Sequence, residues 1–383
     1  MGQTLSAPVV DKLTHQGKDS HFIYGVSAMQ GWRISMEDAH CTELDVDGTN
    51  ASFFGVYDGH GGSTIAQYTG ENLHHRVINN PYFAKKEYEK ALTAAFKELD
   101  KELLEDPNFA YDPSGCTAVT ALVTPDRKTI YVANAGDSRA IISISGKHKA
   151  LSYDHKPSDA KESQRITNAG GFVEFGRVNG NLALSRAIGD FEFKQNSSLS
   201  PEEQAVTCKP DVIQHNITAD DEFFVLACDG IWDCMSNQEV VQYIREKLAQ
   251  KMRLEDICEE IMEDCLAPES DASNVGCDNM SIMIIGILNG KTEEEWYDWM
   301  AQRATPKKDA LGNDISNSDA ESVGNDDNVE ENNNGSEDAN KVSASATEPI
   351  AVPAEDIIEK VPLNNMNIDT STAKNGETDH KAK

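Results

Sequence analysis

An apolar run ending on an acid and a cluster of glycines constrains this chain most: Ser52-Phe53-Phe54-Gly55-Val56-Tyr57, then Asp58-Gly59-His60-Gly61-Gly62. Such a run reads as a buried strand. A carboxylate at the tip of a buried strand has its position fixed by the sheet, which suits a metal ligand. The glycines let the backbone turn sharply and leave a carbonyl bare to an approaching ion. Asp-Gly is also ordinary turn chemistry, so a single stretch of this kind serves equally well as a strand-to-helix turn.

Recurrence shifts the balance. An apolar run over 130–135 leads to Asp137, another over 223–228 leads to Asp229, and Asp278 stands just before a third at 280–288. Four acids at four strand ends can converge at one end of a sheet assembly. Packed carboxylates repel and stay protonated unless a cation sits among them. Oxygen donors without a Cys or His cluster select a hard ion, Mg or Mn, over zinc.

The chain has 383 residues and a net charge of −31, which argues against nucleic acid as a partner. Beyond residue 305 periodicity vanishes, and 17 acidic residues face 7 basic ones. This segment, 305–383, reads as a disordered acidic tail. Eight scattered cysteines without a Cys-x-x-Cys pair read as reduced thiols of an intracellular protein. There is no signal peptide and no apolar run near 20 residues. Gly2 followed by Ser6 fits N-myristoylation, which with one chain and no basic patch gives only weak, reversible membrane contact.

Helical spacing puts Ile65, Leu73 and Val77 on one stripe of a helix at 63–77. It puts Tyr88, Leu92, Phe96, Leu99 and Leu103 on one at 85–104. Strands follow at 118–123, 130–134 and 139–145, and the order indicates α+β with mainly antiparallel sheets. Residues 154–194, rich in glycine, asparagine and arginine, read as a loop-rich lobe beside a site. Helices are expected at 237–249, 254–266 and 293–303. Arg33, four residues before the pair Glu37-Asp38, is either a salt-bridge partner or a phosphate clamp.

Taken together, these motifs resemble the metal-dependent type 2C (PPM) protein serine/threonine phosphatases, most closely the fungal members. The resemblance covers about residues 20–290. It is carried by Gly31-Trp32-Arg33 with Met36-Glu37-Asp38, by Val56 to Gly62, and by Ser114-Gly115-Cys116-Thr117. Asn134-Ala135-Gly136-Asp137, Arg177-Val178-Asn179-Gly180 and Ser185-Arg186-Ala187-Ile188-Gly189-Asp190 follow in the family's order. Cys228-Asp229-Gly230 and Cys277-Asp278-Asn279 complete the set.

The resemblance implies a central sandwich of two antiparallel β-sheets with helices outside each. The chain is then read as an N-terminal segment (1–20), a catalytic domain (21–290) that the resemblance covers, a C-terminal helix (291–304) and the tail (305–383), which lies outside the resemblance. The resemblance implies two Mg or Mn ions: Asp58 bridging, Asp229 and Asp278 on one, Glu37 and the Gly59 carbonyl on the other. Asp137, with Asp233, matches acids that bind a weaker third ion in relatives. The implied reaction is hydrolysis of phosphoserine and phosphothreonine by a hydroxide bridging the two ions. Arg33 binds the phosphoryl oxygens, His60 is the general acid, and Asp38 orients either the water shell or His60. Residues 160–194 correspond to the family's flap, where Arg177 bears on substrate docking. Analogy points to protein kinases of stress or cell-cycle signalling as substrates, to a monomer, and to cytoplasm and nucleus with partial membrane association. The alternative is a catalytically silent scaffold that binds phosphoproteins. The retained acids argue against it, and no Cys-x5-Arg supports a cysteine-nucleophile phosphatase.

Overall fold

A computed structural model describes residues 4–270 and 275–304. The expected acidic tail and the Gly2 acceptor lie outside the described residues. The main strands, in chain order, are β1 (Thr4–Lys18), β2 (Phe22–Arg33), β3 (Ala39–Glu43), β4 (Ser52–Tyr57), β5 (Ala118–Val123), β6 (Thr129–Ala135), β7 (Arg139–Ile144), β8 (Lys147–Ala150), β9 (Asp211–Asn216), β10 (Asp221–Ala227) and β11 (Met280–Ile287). The helices are α1 (Thr64–Asn79), α2 (Tyr88–Glu105), α3 (Ala160–Asn168), α4 (Asn237–Ala249), α5 (Leu254–Cys265) and α6 (Glu293–Ala304), with one-turn pieces at Pro81–Ala84 and Asp229–Trp232.

The strands form two antiparallel sheets, ordered β1-β2-β11-β10-β7-β8 and β9-β6-β5-β4-β3. Side chains alternate between faces, so neighbouring residues enter different cores. Phe54, Val56, Val132, Ile142, Phe224 and Met283 meet between the sheets. Phe53, Tyr57 and Leu122 turn outward against Leu73 of α1 and Phe96 and Leu99 of α2. On the other side Phe223, Val225, Ile282 and Ile284 pack under Ile244 of α4, Ile257 and Ile261 of α5, and Trp296 of α6. The result is a four-layer sandwich, helices–sheet–sheet–helices. Its central strands are buried on both faces, which is why they read as unbroken apolar runs.

The antiparallel order gathers the acids. In the first sheet Met280 pairs with Met29, Ala227 with Ile282 and also with Arg139. The C-terminal ends of β2 and β10 and the N-terminal ends of β11 and β7 therefore share one edge. In the second, Ala118 pairs with Ala135, Val56 with Val119, and Ala39 with Tyr57. That places Asp38, Asp58 and Asp137 at one edge of this sheet as well.

Four strands are not legible in the sequence, β1, β3, β8 and β9, and each stands at the end of a sheet. β1 is an outer strand, half exposed and mostly polar, interrupted by register shifts on either side of Val9. Its Lys12 and Thr14 bond to Glu263 and Glu259 of α5 at 2.8 and 2.6 Å. β9 is likewise an outer strand with a single buried side chain, His215. The helix expected from residue 85 starts at Tyr88, because Lys86 adopts a left-handed φ of 62° after the Pro81–Ala84 turn. The 160–194 lobe contains α3 and a two-residue hairpin pairing Val173–Glu174 with Arg177–Val178.

Candidate active site

Asp58 follows the last residue of β4, and its backbone is pinned from both sides. Its N–H donates to Thr117 Oγ1 at 3.2 Å, and its carbonyl accepts from the Thr117 N–H at 2.9 Å. Burial pushes the Asp58 carboxyl well above its usual range, and Asp229, Asp38, Asp137 and Asp278 add like-charge repulsion. Asp229 opens the one-turn helix Asp229–Trp232. It is pushed up by burial and by Asp137, Asp278 and Asp233, against a smaller pull from Lys156. Asp233, one turn on, is raised for the same reason, burial first. Asp38 rises to about 7, chiefly through burial.

Asp38 and Asp58 each bring a carboxylate oxygen within 4.8 Å of the other and of Cys228 Sγ. Asp38 Oδ2 accepts from Ser281 Oγ at 2.7 Å, while its Oδ1 is buried and has no partner among the described residues. Cys228 is not a convincing ligand: burial and the same acids push its thiol well up, and its sulfur accepts from the Ser281 N–H at 3.1 Å. A buried, unpartnered carboxylate oxygen beside acids that repel one another fits a hard divalent cation. The donor set is oxygen throughout.

Glu37 lies on the rim, its Oε1 accepting from Ser35 Oγ at 2.8 Å. Asn279 holds that rim in place. Its Oδ1 accepts from the Glu37 N–H at 2.9 Å, and its Nδ2 donates to the carbonyls of Gln30 and Ser35 at 2.8 and 3.0 Å. Gly59 runs so close to this segment that a Cβ there would lie 2.2 Å from the Glu37 carbonyl oxygen. Only glycine fits, and the two expected ligands are thereby adjacent.

Arg33, the last residue of β2, forms an ion pair with Asp278 and stays partly exposed. The choice left open by the sequence has a structural answer: the guanidinium is in a salt bridge, but at the mouth of the acid cluster. His60 pairs through Nε2 with Asp190, at 2.9 and 2.8 Å to its two carboxylate oxygens. Burial lowers the His60 pKa, but Asp190, helped by Asp137 and Glu37, more than offsets it and the net shift is upward. The carboxylate bonded to His60 is thus Asp190, whereas Asp38 bonds to Ser281. Arg177 stands apart on the exposed hairpin, donating to the Asn181 carbonyl at 2.7 Å.

Three residues at the site carried no role in the sequence reading: Asp190, Asn279 and Lys156. Lys156 Nζ lies 2.5 Å from Asp137 Oδ2, so one of the clustered acids has a cation from the chain itself. Asp190 and Asn279 sit inside motifs already noted. Their signal was a polar residue beside a glycine or an acid at a strand end.

A model of the family described as protein phosphatase 2C matches residues 22–274. The chain belongs to the protein phosphatase 2C family. It is accordingly an enzyme, a metal-dependent protein serine/threonine phosphatase, as the sequence reading held. Among its relatives, protein phosphatase 2C homolog 2 of Hypocrea jecorina is 54% identical over 312 residues, covering 79% of this chain and 71% of the relative. The protein of the same description from Schizosaccharomyces pombe is 53% identical over 308 residues, covering 79% and 83%. Among solved structures, a phosphatase from Toxoplasma gondii superposes with a TM-score of 0.64 at 26% identity, over 74% of this chain and 97% of that one.

Proposed function

We propose that this phosphatase 2C chain hydrolyses phosphoserine and phosphothreonine on proteins at the acid cluster, and that two Mg or Mn ions are held there. The observation that carries the reading is the convergence of Asp38, Asp58, Asp229 and Asp278 from both sheets, with Asp38 Oδ1 buried and unpartnered. Asp58, Asp229 and Asp278 would hold one ion, and Asp58, Glu37 and the Gly59 carbonyl the other, with Asp137 and Asp233 offering a weaker third place. Divalent ions held there supply positive charge to the phosphoryl group and lower the pKa of water at the site.

The chain's own groups do the rest. Arg33, at the mouth, exchanges its bond to Asp278 for the phosphoryl oxygens and offsets their charge. His60 gives a proton to the serine or threonine oxygen as it leaves, which an alkoxide requires. Asp38, with one free oxygen, orders water beside Asp58. Arg177 meets the protein substrate on the exposed hairpin.

Protein kinases of stress or cell-cycle signalling are the substrates favoured by family analogy, acted on by a monomer in cytoplasm and nucleus. A myristoylated Gly2 would add weak membrane contact.

The deciding experiment is hydrolysis of a phosphothreonine peptide with Mn2+ or Mg2+ and then with EDTA, for wild type and Arg33→Ala. Turnover that needs metal and falls about 10²-fold in Arg33→Ala supports the reading. A folded, metal-loaded wild type without turnover sinks it and favours the scaffold.

A further inference from the structure

His60 belongs to a small three-stranded sheet separate from the two large ones: Gly115–Cys116 pairs with Gly59–His60 on one side and Ile188–Gly189 on the other. This sheet carries Asp190 to the imidazole from a point 130 residues away in sequence. The carboxylate is almost wholly buried, its side chain 4% exposed against 28% for His60. Two features mark the pair as specifically built.

Asp190 has a left-handed φ of 52°, a backbone conformation uncommon for residues other than glycine. Opposite the pair stands Gly115. A Cβ there would lie 2.4 Å from Asp190 Oδ2 and 2.8 Å from His60 Nε2. No side chain fits while the contact is made.

The segment before Asp190 is anchored from behind. The Gly189 N–H donates to Asp100 Oδ1 of α2 at 2.8 Å, and the same oxygen accepts from Lys194 Nζ at 2.7 Å. Lys194 also donates to the Ala187 carbonyl at 2.9 Å. The Asp190 N–H donates to the Ser114 carbonyl at 3.2 Å. Backbone and side chain are therefore both held.

We infer that Asp190 is the positioning residue for His60: it engages Nε2 and so presents Nδ1 to the leaving oxygen of the phosphoester. The inference rests on the reading of His60 as proton donor. Among the described residues none bonds to Nδ1, so that nitrogen is free for substrate. In the step, the P–Oγ bond breaks with its electron pair on the threonine oxygen. That oxygen takes the Nδ1 proton, while water forms the new bond to phosphorus, keeping one proton on the phosphate product and returning the other to His60.

The test compares two leaving groups, because a nitrophenolate departs without a proton and a threonine alkoxide does not. In full-length Asp190→Asn with saturating Mn2+, kcat on a phosphothreonine peptide should fall about 10²-fold, the usual worth of a positioned acid. On p-nitrophenyl phosphate the fall should be at least about tenfold smaller, on the same principle. His60→Gln should show the same split, and the double variant should be no slower than His60→Gln alone.

Equal slowing on both substrates, or additive losses in the double variant, would overturn the inference. Wild type without metal-dependent turnover would instead overturn the proposed function, so the two failures are distinguishable. Gly115→Ala keeps both residues and pushes a methyl between them. It should reproduce the split, and uniform slowing there would count against the inference. If neither variant folds, the wild-type 1H–15N spectrum of the histidine rings decides. A proton on His60 Nε2, shared with a carboxylate, is expected; an unprotonated Nε2 contradicts the proposal.

Discussion

Glu162, buried at the base of the 160–194 lobe, and Asp58, half-buried at the end of β4, are both acids penalised by desolvation, but their neighbours have opposite signs. Glu162 accepts from Arg186 Nη2 at 2.7 Å, from Arg165 Nη1 at 2.5 Å and from Ser185 Oγ at 2.9 Å. Burial would raise its pKa, yet the two guanidiniums overcome that and bring it down to about 2. Around Asp58 the neighbours are Asp229, Asp38, Asp137 and Asp278, and every one of them pushes the same way as burial. Arg33 on Asp278 and Lys156 on Asp137 sit at the cluster's margin. The lesson is one of completeness: the lobe's acid is neutralised by its own chain, whereas the central acids are arranged for a cation from outside.

Removing the saturated acid should therefore do the most damage to folding. Glu162→Gln leaves the buried Arg165 guanidinium without a carboxylate and Arg186 with Asp211 alone, and should cost about 3 kcal/mol at pH 7, read by urea unfolding. Its carboxyl titrates lower in the folded protein than at its ordinary value of 4.5. The stabilisation is present above pH 4.5 and lost as pH falls through about 2, so wild type and variant should converge in acid.

The cluster should behave with the opposite sign. In metal-free protein Asp38 titrates near 7 against an ordinary 3.8, so its contribution is fullest below pH 3.8 and is lost as pH rises through 7. Asp38→Asn keeps a partner for Ser281 and removes that loss. It should stabilise the protein in EDTA by up to about 4 kcal/mol at pH 8, with little effect at pH 4. A variant no more stable than wild type at pH 8 would break the comparison.

The smallest effect should come from Asn279→Ala, which removes three hydrogen bonds from the Glu37 rim. We expect about 1–3 kcal/mol of destabilisation, together with weaker Mn2+ binding, measured by thermal melting across a Mn2+ series. Loss of stability without loss of Mn2+ affinity would separate the rim from the cluster.

Much of this was legible in the chain itself. The strands carrying the acids are buried on both faces, so their apolar runs ended where the structure ends them. Antiparallel order then made convergence of Asp58, Asp137, Asp229 and Asp278 a natural expectation. β1, β3, β8 and β9 escaped because outer strands half open to water have no such run. Asp190 escaped for another reason. Its partner His60 is 130 residues away, and the contact depends on the absence of a side chain at Gly115 and on a left-handed backbone at Asp190 itself. Neither condition has a local pattern that points to His60. Lys156 acts through one hydrogen-bonded contact and Asn279 through three, none of which spacing encodes.

The most direct test of the central claim is a calorimetric titration of Mn2+ into metal-free wild type and Asp58→Asn at neutral pH. The account predicts that wild type takes up Mn2+ and releases protons as it does so, because carboxyls held protonated by burial and by one another give them up to the ion. Asp58→Asn should lose the tightest binding. Wild type that binds no Mn2+, or a variant that binds it as wild type does, would contradict the claim that these acids await a cation.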